Sequence, residues 1–296
     1  MGKFTFLGLE EDPQRAKVVF IPAPYEATTS YKSGTKEGPH RLIEASRYLE
    51  FYDEETQTEV YRLAPFLTLS EPELPVEPEK ALKTLEKMVE PVLKKGLFPV
   101  LLGGEHTVTL ALLRPLLKRH PNLCLLQIDA HADLRNEYQA CSFSHACVMR
   151  RALELGLCDI FPVGIRALSL EEAQFIKEKG LRVYAAPEVI KAPEAVAQDI
   201  LTRLGNRPLY ITIDLDGLDP SEVPGVGTPE PGGLRWYDLL QILKLISKRA
   251  SIVGFDVVEL RPLPHDHRSE FLAARLVYKF LSYIFCRYDM SPLCRL

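Results

Sequence analysis

Asparagine is scarce in this sequence, present only at positions 122, 136 and 206, while proline reaches 23 residues. Few thermolabile amides and many prolines fit a heat-adapted chain. No Cys-x-x-Cys pair occurs among the six cysteines, at 124, 141, 147, 158, 286 and 294. All six are therefore expected as reduced thiols in a cytoplasmic protein, with Cys124 a small core residue. Long hydrophobic runs are also missing, which excludes a bilayer-spanning helix. The first residues, 1–7, lack the apolar core and cleavage site of a signal peptide, and Leu7 stands in place of the Ser or Thr of a myristoylation signal. Neither sign of charge dominates: 36 Lys and Arg against 40 Asp and Glu give a net charge of −4. That balance implies no nucleic-acid partner. There is no Ser/Gly linker, low-complexity block or internal repeat.

What remains is an ordinary globular composition, 46% hydrophobic and 26% charged over 296 residues. The expected organisation is one α/β domain spanning 1–296. Apolar runs at 17–21, 97–102, 123–128, 160–163, 181–184, 209–213 and 252–257 read as strands. Helix-period segments fall near 39–50, 78–95, 108–120, 144–155, 170–179, 192–204, 236–248 and 269–285. Ser169 with Glu172, and Ser269 with Glu270, mark helix starts, whereas Gly96, Gly156, Gly180 and Gly205 stand at expected helix ends. The Pro/Glu-rich stretch 70–78 reads as a loop entering a helix. Strands alternating with helices predict a mostly parallel sheet of seven or eight strands, covered on both faces.

In such sheets ligands bind beyond the carboxyl ends of strands, and polar residues collect there. Strand 123–128 runs into Asp129-Ala130-His131-Ala132-Asp133; strand 209–213 runs into Asp214-Leu215-Asp216. Strand 97–102 runs into Gly103-Gly104-Glu105-His106, and the last strand reaches Glu259. Ligand-type side chains two apart project from one side of extended chain. His106, Asp129, His131, Asp133, Asp214 and Asp216 can thus hold two divalent cations. Clustered carboxylates are costly to bury unless cations neutralise them. An oxygen-rich set with two imidazoles and no thiolate favours Mn²⁺ over structural zinc. Two such ions lower the pKa of a shared water, which suits hydrolysis of an unreactive bond.

Each motif alone has a plainer reading. The Asp-x-His-x-Asp segment can be a solvated loop or a helix-start cluster, and the Asp-x-Asp pair a turn. Gly103-Gly104 lacks the Lys-Ser/Thr of a phosphate loop. His145, in Ser144-His145-Ala146, is either a proton shuttle or a surface histidine at a helix start. His265 and His267 read as exposed, and His40 and His120 as structural.

Taken as a set, Gly103-Gly104-Glu105-His106, Asp129 to Asp133, Ser144-His145, Asp214 to Pro220, Gly227-Thr228-Pro229 and Asp256 to Glu259 resemble the signature blocks of the ureohydrolases, the arginases and agmatinases. The likeness extends from Val19-Phe20-Ile21-Pro22-Ala23-Pro24-Tyr25 to the last helix. It implies a three-layer α/β/α fold with an eight-stranded parallel sheet and two Mn²⁺ per subunit. One ion would take His106, Asp129, Asp133 and Asp214; the other would take Asp129, His131, Asp214 and Asp216. Asp129 and Asp214 would bridge. The resemblance also implies His145 as proton shuttle, Glu259 as the carboxylate facing a guanidinium, Thr228 as a nearby hydroxyl, and a homotrimer or homohexamer.

The loop 134–144 lacks the Ser-Gly-Asn pattern by which arginases read an amino-acid head. It resembles agmatinase and aminopropylagmatine ureohydrolase loops, with Glu137-Tyr138 offered to a cationic tail, or simply solvated. The expected reaction is agmatine to putrescine and urea, with N1-aminopropylagmatine as alternative substrate. Another guanidino hydrolase, a formiminoglutamase and a metal-binding pseudoenzyme remain competing readings.

Overall fold

Val18 to Ile21, Val100 to Leu102 and Leu123 to Leu126 are apolar at every position and fully buried. That is the pattern of strands covered on both faces. The computed structural model, which describes residues 4–286, assembles such segments into one parallel sheet of eight strands. They are β1 (Val18–Ala23), β2 (Phe66–Thr68), β3 (Phe98–Gly103), β4 (Cys124–Ile128), β5 (Asp159–Ile165), β6 (Tyr184–Ala185), β7 (Pro208–Asp214) and β8 (Ser251–Val258). Their spatial order is β2-β1-β3-β8-β7-β4-β5-β6. The helices are α1 (Gly38–Ser46), α2 (Val60–Leu63), α3 (Pro78–Lys94), α4 (Leu110–Arg119), α5 (Val148–Glu154), α6 (Leu170–Lys179), α7 (Ala186–Lys191), α8 (Pro193–Leu204), α9 (Trp236–Arg249) and α10 (Arg268–Phe285).

Alternate strand residues serve opposite faces, as the pleat requires. Val18, Phe20, Val100, Leu102, Ile211 and Phe255 join a core with α1, α8, α9 and α10. Val19, Ile21, Leu101, Leu125 and Tyr210 join a second core with α3, α4 and α5. The result is three layers, α/β/α.

Several local expectations are corrected. Strand β2 was not expected: three residues are too few to show a period. The expected strand 181–184 shrinks to Tyr184–Ala185 at the sheet edge, where Leu181 and Val183 only partly bury. Helix α1 stops at Ser46, whose hydroxyl accepts the Leu7 N–H at 2.8 Å and so is committed to tertiary packing. Helix α10 opens at Arg268, and Ser269 does not cap it; its hydroxyl accepts the Gly225 N–H at 2.8 Å. Ser169 and Glu172 do form a reciprocal capping box on α6, which ends on Gly180 at φ 63°. The 70–78 stretch leads into α3. Five cysteines are free thiols; Cys294 and residues 1–3 lie outside the described residues. Among the described residues no helix is long and apolar enough to cross a membrane.

Candidate active site and metal centre

Four neighbouring strands at the centre of the sheet, β3, β8, β7 and β4, end at one level. Leu102 pairs with Val257, Asp214 with Val258, and Ile128 with Ile213. The next residues along these strands are the polar ones. His106 follows β3, Glu259 follows β8, Asp214 ends β7 and Asp129 follows β4.

Tight turns deliver the side chains. Gly104 donates its N–H to Ala23 at 2.9 Å and accepts the Glu259 N–H at 2.8 Å. A Cβ at Gly104 would stand 2.1 Å from the Tyr25 carbonyl oxygen, so only glycine fits. Asp214 caps the following turn, accepting the Asp216 N–H at 2.8 Å. Asp129 accepts the His131 N–H at 2.6 Å and the Gln127 amide at 2.8 Å. Asp133 and Glu259 both adopt left-handed backbone, at φ 52° and 64°. Such conformations are rare outside glycine and concentrate where function demands them. The ligand segments are therefore turns, not the simple extended alternation expected from their spacing.

The six metal-type residues come together. His106 Nδ1 lies 2.9 Å from Asp133, 3.3 Å from Asp129 and 3.4 Å from Asp214. His131 Nδ1 lies 2.9 Å from Asp216 and 3.7 Å from Asp129. Two metal-capable groups result, His106–Asp129–Asp214 and Asp129–His131–Asp216, and Asp129 is common to both.

Burial and charge make this arrangement unstable on its own. Asp129, Asp133, Asp214 and Asp216 are all buried. Burial, reinforced by Asp129, pushes Asp133 up to about 7. Burial with Asp216 and Asp129 carries Asp214 well above the carboxylate range. Burial works against a charge on His131, but Asp129 and Asp216 outweigh it and hold the ring protonated up to about 12. His106 Nδ1 is the sharpest sign: it is buried and faces three carboxylates, yet makes no hydrogen bond of proper geometry. Burial works against a charge on this ring, but those carboxylates raise the His106 pKa well above the usual imidazole value. A divalent cation would replace that charge, and the oxygen-rich donor set suits a metal of the manganese type.

The ligands floor a cleft of about 210 Å³. Glu259, His145, Thr228, Tyr138 and Arg135 line it. Glu259 accepts the His106 N–H through Oε1 at 2.7 Å. Burial and then Glu105 raise the Glu259 carboxyl well above its usual range, which a facing cation would reverse. His145 is pushed down to about 4, first by burial and then by His106 and His131, so its ring is neutral at pH 7. Thr228 reaches Asp216 at 3.5 Å. Tyr138 meets the His145 ring edge-to-face at 5.9 Å, while the Arg135 guanidinium covers the Tyr138 ring at 5.0 Å. Glu137 is exposed and does not line the cleft. His40 pairs with Glu71 outside the site, and His265 is exposed.

Other contributors escaped the sequence reading. Arg166 donates to the carbonyls of Asp216 and Glu230, at 2.7 Å each, binding the ligand turn to the 230 loop. Thr212 and Asp256 hold the buried His106 ring, and Thr28 and Glu105 hold the half-buried His145 ring. The polar pairs involved are up to 117 residues apart, so no local spacing reveals them.

Residues 16–282 match the arginase family. An N(1)-aminopropylagmatine ureohydrolase of Synechocystis sp. is 39% identical, over 90% of this chain and 89% of its own. The agmatinase of Bacillus subtilis is 32% identical, over 94% of this chain and 95% of its own. The crystal structure of the agmatine ureohydrolase of Thermoplasma volcanium superposes with a TM-score of 0.82 at 32% identity, covering 92% of this chain and 90% of that one. Sheet order, buried His/Asp groups and whole-length similarity converge: this chain belongs to the arginase family.

Proposed function

We propose that this protein is a ureohydrolase that cleaves the guanidino group of agmatine, giving putrescine and urea. The observation that carries the proposal is the pair of His/Asp groups sharing Asp129, with the buried Glu259 beside them. His106, Asp129, Asp133 and Asp214 would hold one Mn²⁺; Asp129, His131, Asp214 and Asp216 would hold the other. When bound, the two ions supply Lewis acidity and a water acidic enough to react near neutral pH.

The protein's own residues do the rest. A guanidinium is planar, delocalised and charged at neutrality, so a carboxylate can bind it with paired hydrogen bonds. Glu259 supplies that carboxylate, and its Oε1 is already fixed by His106. Thr228 adds a hydroxyl at the edge of the cleft. Water oxygen adds to the central carbon, and the bond to the substituted nitrogen breaks as that nitrogen gains a proton. His145 stands in the lining to move that proton. The products balance as urea and an amine.

The 39% identity to an enzyme named for N(1)-aminopropylagmatine supports that longer amine, giving spermidine, as the second candidate substrate. Tyr138 would meet the cationic tail, and Glu137 would approach it only if the loop shifts. We assign a cytoplasmic location, a single domain over 1–296 and a homotrimer or homohexamer as the working state. Urea release should be measured from manganese-loaded protein on agmatine, N1-aminopropylagmatine, arginine, 4-guanidinobutyrate and guanidine. Agmatine is expected to give the highest kcat/KM. Turnover of arginine alone would refute the substrate assignment.

A further inference from the structure

Glu105 is completely buried and is not placed to ligate either proposed ion. Its Oε2 accepts the N–H groups of Ala27 and Thr28 at 2.8 and 2.7 Å, and its Oε1 accepts the Thr28 hydroxyl at 2.9 Å. That hydroxyl oxygen also lies 3.1 Å from His145 Nδ1 and accepts the His145 backbone N–H at 3.0 Å. A threonine hydroxyl has a single hydrogen. With it given to the Glu105 carboxylate, Thr28 presents only lone pairs to His145. Nδ1 must then be the protonated nitrogen. Ser144 Oγ approaches Nδ1 less closely, at 3.3 Å. The ring is held on its edge by Tyr138. This leaves Nε2 as the nitrogen free to exchange a proton in the cleft.

We propose that Glu105 and Thr28 are positioning residues for His145, fixing its tautomer and aiming Nε2 at the departing nitrogen. The inference rests on the ureohydrolase reading of the site. Glu105 precedes His106, so one buried turn carries both a metal-type ligand and the anchor of the shuttle. Thr28 comes from the loop after β1, 77 residues before Glu105. The relay therefore ties the cleft wall to the ligand turn. Loss of the hydroxyl would free the ring to adopt the other tautomer or rotate, without removing the ring itself.

The test compares Thr28→Val, Thr28→Ser and Glu105→Gln with the parent enzyme on agmatine. Manganese content and melting temperature are followed alongside kcat and KM. Thr28→Val should lower kcat by about ten- to a hundredfold with KM nearly unchanged. Its metal content and melting temperature should match the parent, and Thr28→Ser should restore most of kcat. Glu105→Gln, which can donate an N–H to Thr28 and turn the hydroxyl round, should also lower kcat. In a His145→Ala background, Thr28→Val should have no further effect, because both act through one ring. A parent active on agmatine whose kcat survives Thr28→Val overturns the relay alone. So does an equal Thr28→Val effect with and without His145, or metal loss in Thr28→Val. A parent that releases urea from none of the guanidino compounds overturns the ureohydrolase reading, and the relay falls with it.

Discussion

His106 Nε2 sits 2.9 Å from the hydroxyl of Thr212, deep in the sheet. Thr212 in turn donates to Asp256, whose other oxygen accepts the Tyr210 hydroxyl at 2.7 Å. Since the Thr212 hydrogen is committed to Asp256, His106 must donate from Nε2. Against the effect of burial, Asp129, Asp133 and Asp214 raise the His106 pKa well above the usual imidazole value, so Nδ1 would offer its lone pair once a bound cation displaces that proton. Partners of this kind orient a ligating histidine and raise its basicity. Thr212→Val should therefore weaken manganese binding by roughly ten- to a hundredfold, with the protein still folded. Isothermal titration with Mn²⁺, beside a far-ultraviolet circular dichroism spectrum, checks this. Unchanged affinity would mean that the carboxylates alone orient the ring.

Cation binding should release protons. Without an ion, Asp129 and Asp216 keep His131 protonated up to about 12, despite its burial. Burial and Asp129 hold Asp133 partly protonated, at about 7. Ligation requires neutral imidazole and ionised carboxylate. Titrations at pH 7.5 in buffers of different ionisation enthalpy should show net proton release, and affinity should fall as pH is lowered. Proton uptake would contradict the assignment of these residues as ligands.

Asp219 anchors the loop that follows the Asp214–Asp216 turn. It accepts the Ser221 hydroxyl and N–H, at 2.6 and 3.0 Å, and the N–H groups of Gly232 and Gly233, at 2.9 and 3.1 Å. These bonds, the Ser221 hydroxyl first, lower its pKa from 3.8 to about 2. In that interval the unfolded chain binds more protons than the folded one, so stability falls as pH drops through it. The contribution is complete above the unfolded value. Asp219→Asn should flatten this segment of an acid-unfolding curve; an unchanged slope would show that the loop is held elsewhere.

Lys279 on α10 is a buried cation, 2% exposed, with Asp53 at 3.0 Å, Glu54 at 2.6 Å and Glu55 at 3.1 Å. Asp53 is itself fully buried. Replacing Lys279 by Met would leave that carboxylate without its cation, a loss of about 3–5 kcal/mol. Urea denaturation should show it. The cluster lies apart from the cleft, so kcat at low temperature should be unaffected.

The sheet was legible because parallel strands advertise themselves as apolar runs: Leu123 to Ile128, apolar but for Gln127, reads as a strand without any tertiary knowledge. The convergence of the metal-type side chains was legible because carboxylates and imidazoles at strand ends have few other reasons to gather. Their conformation was not. Asp133 reaches His106 through left-handed backbone, which residue spacing does not encode. Glu137 and Tyr138 are neighbours in sequence, yet only Tyr138 lines the cleft while Glu137 stays exposed, because loop geometry decides which of two adjacent residues turns inward. Thr28 and Thr212 are ordinary threonines until the fold brings them to His145 and His106. Strand β6 failed for a related reason, since an edge position gives a short apolar run little to pair with.

The central claim is that two cations gathered about Asp129 drive hydrolysis of a guanidino compound. Its most direct test is stepwise addition of Mn²⁺ to metal-free protein, recording bound metal per chain and urea released from agmatine in the same samples. The account predicts that activity climbs to a plateau at two bound ions, and that Asp129→Asn loses activity and the plateau together. Full activity at a single ion per chain, or in metal-free protein, would contradict it.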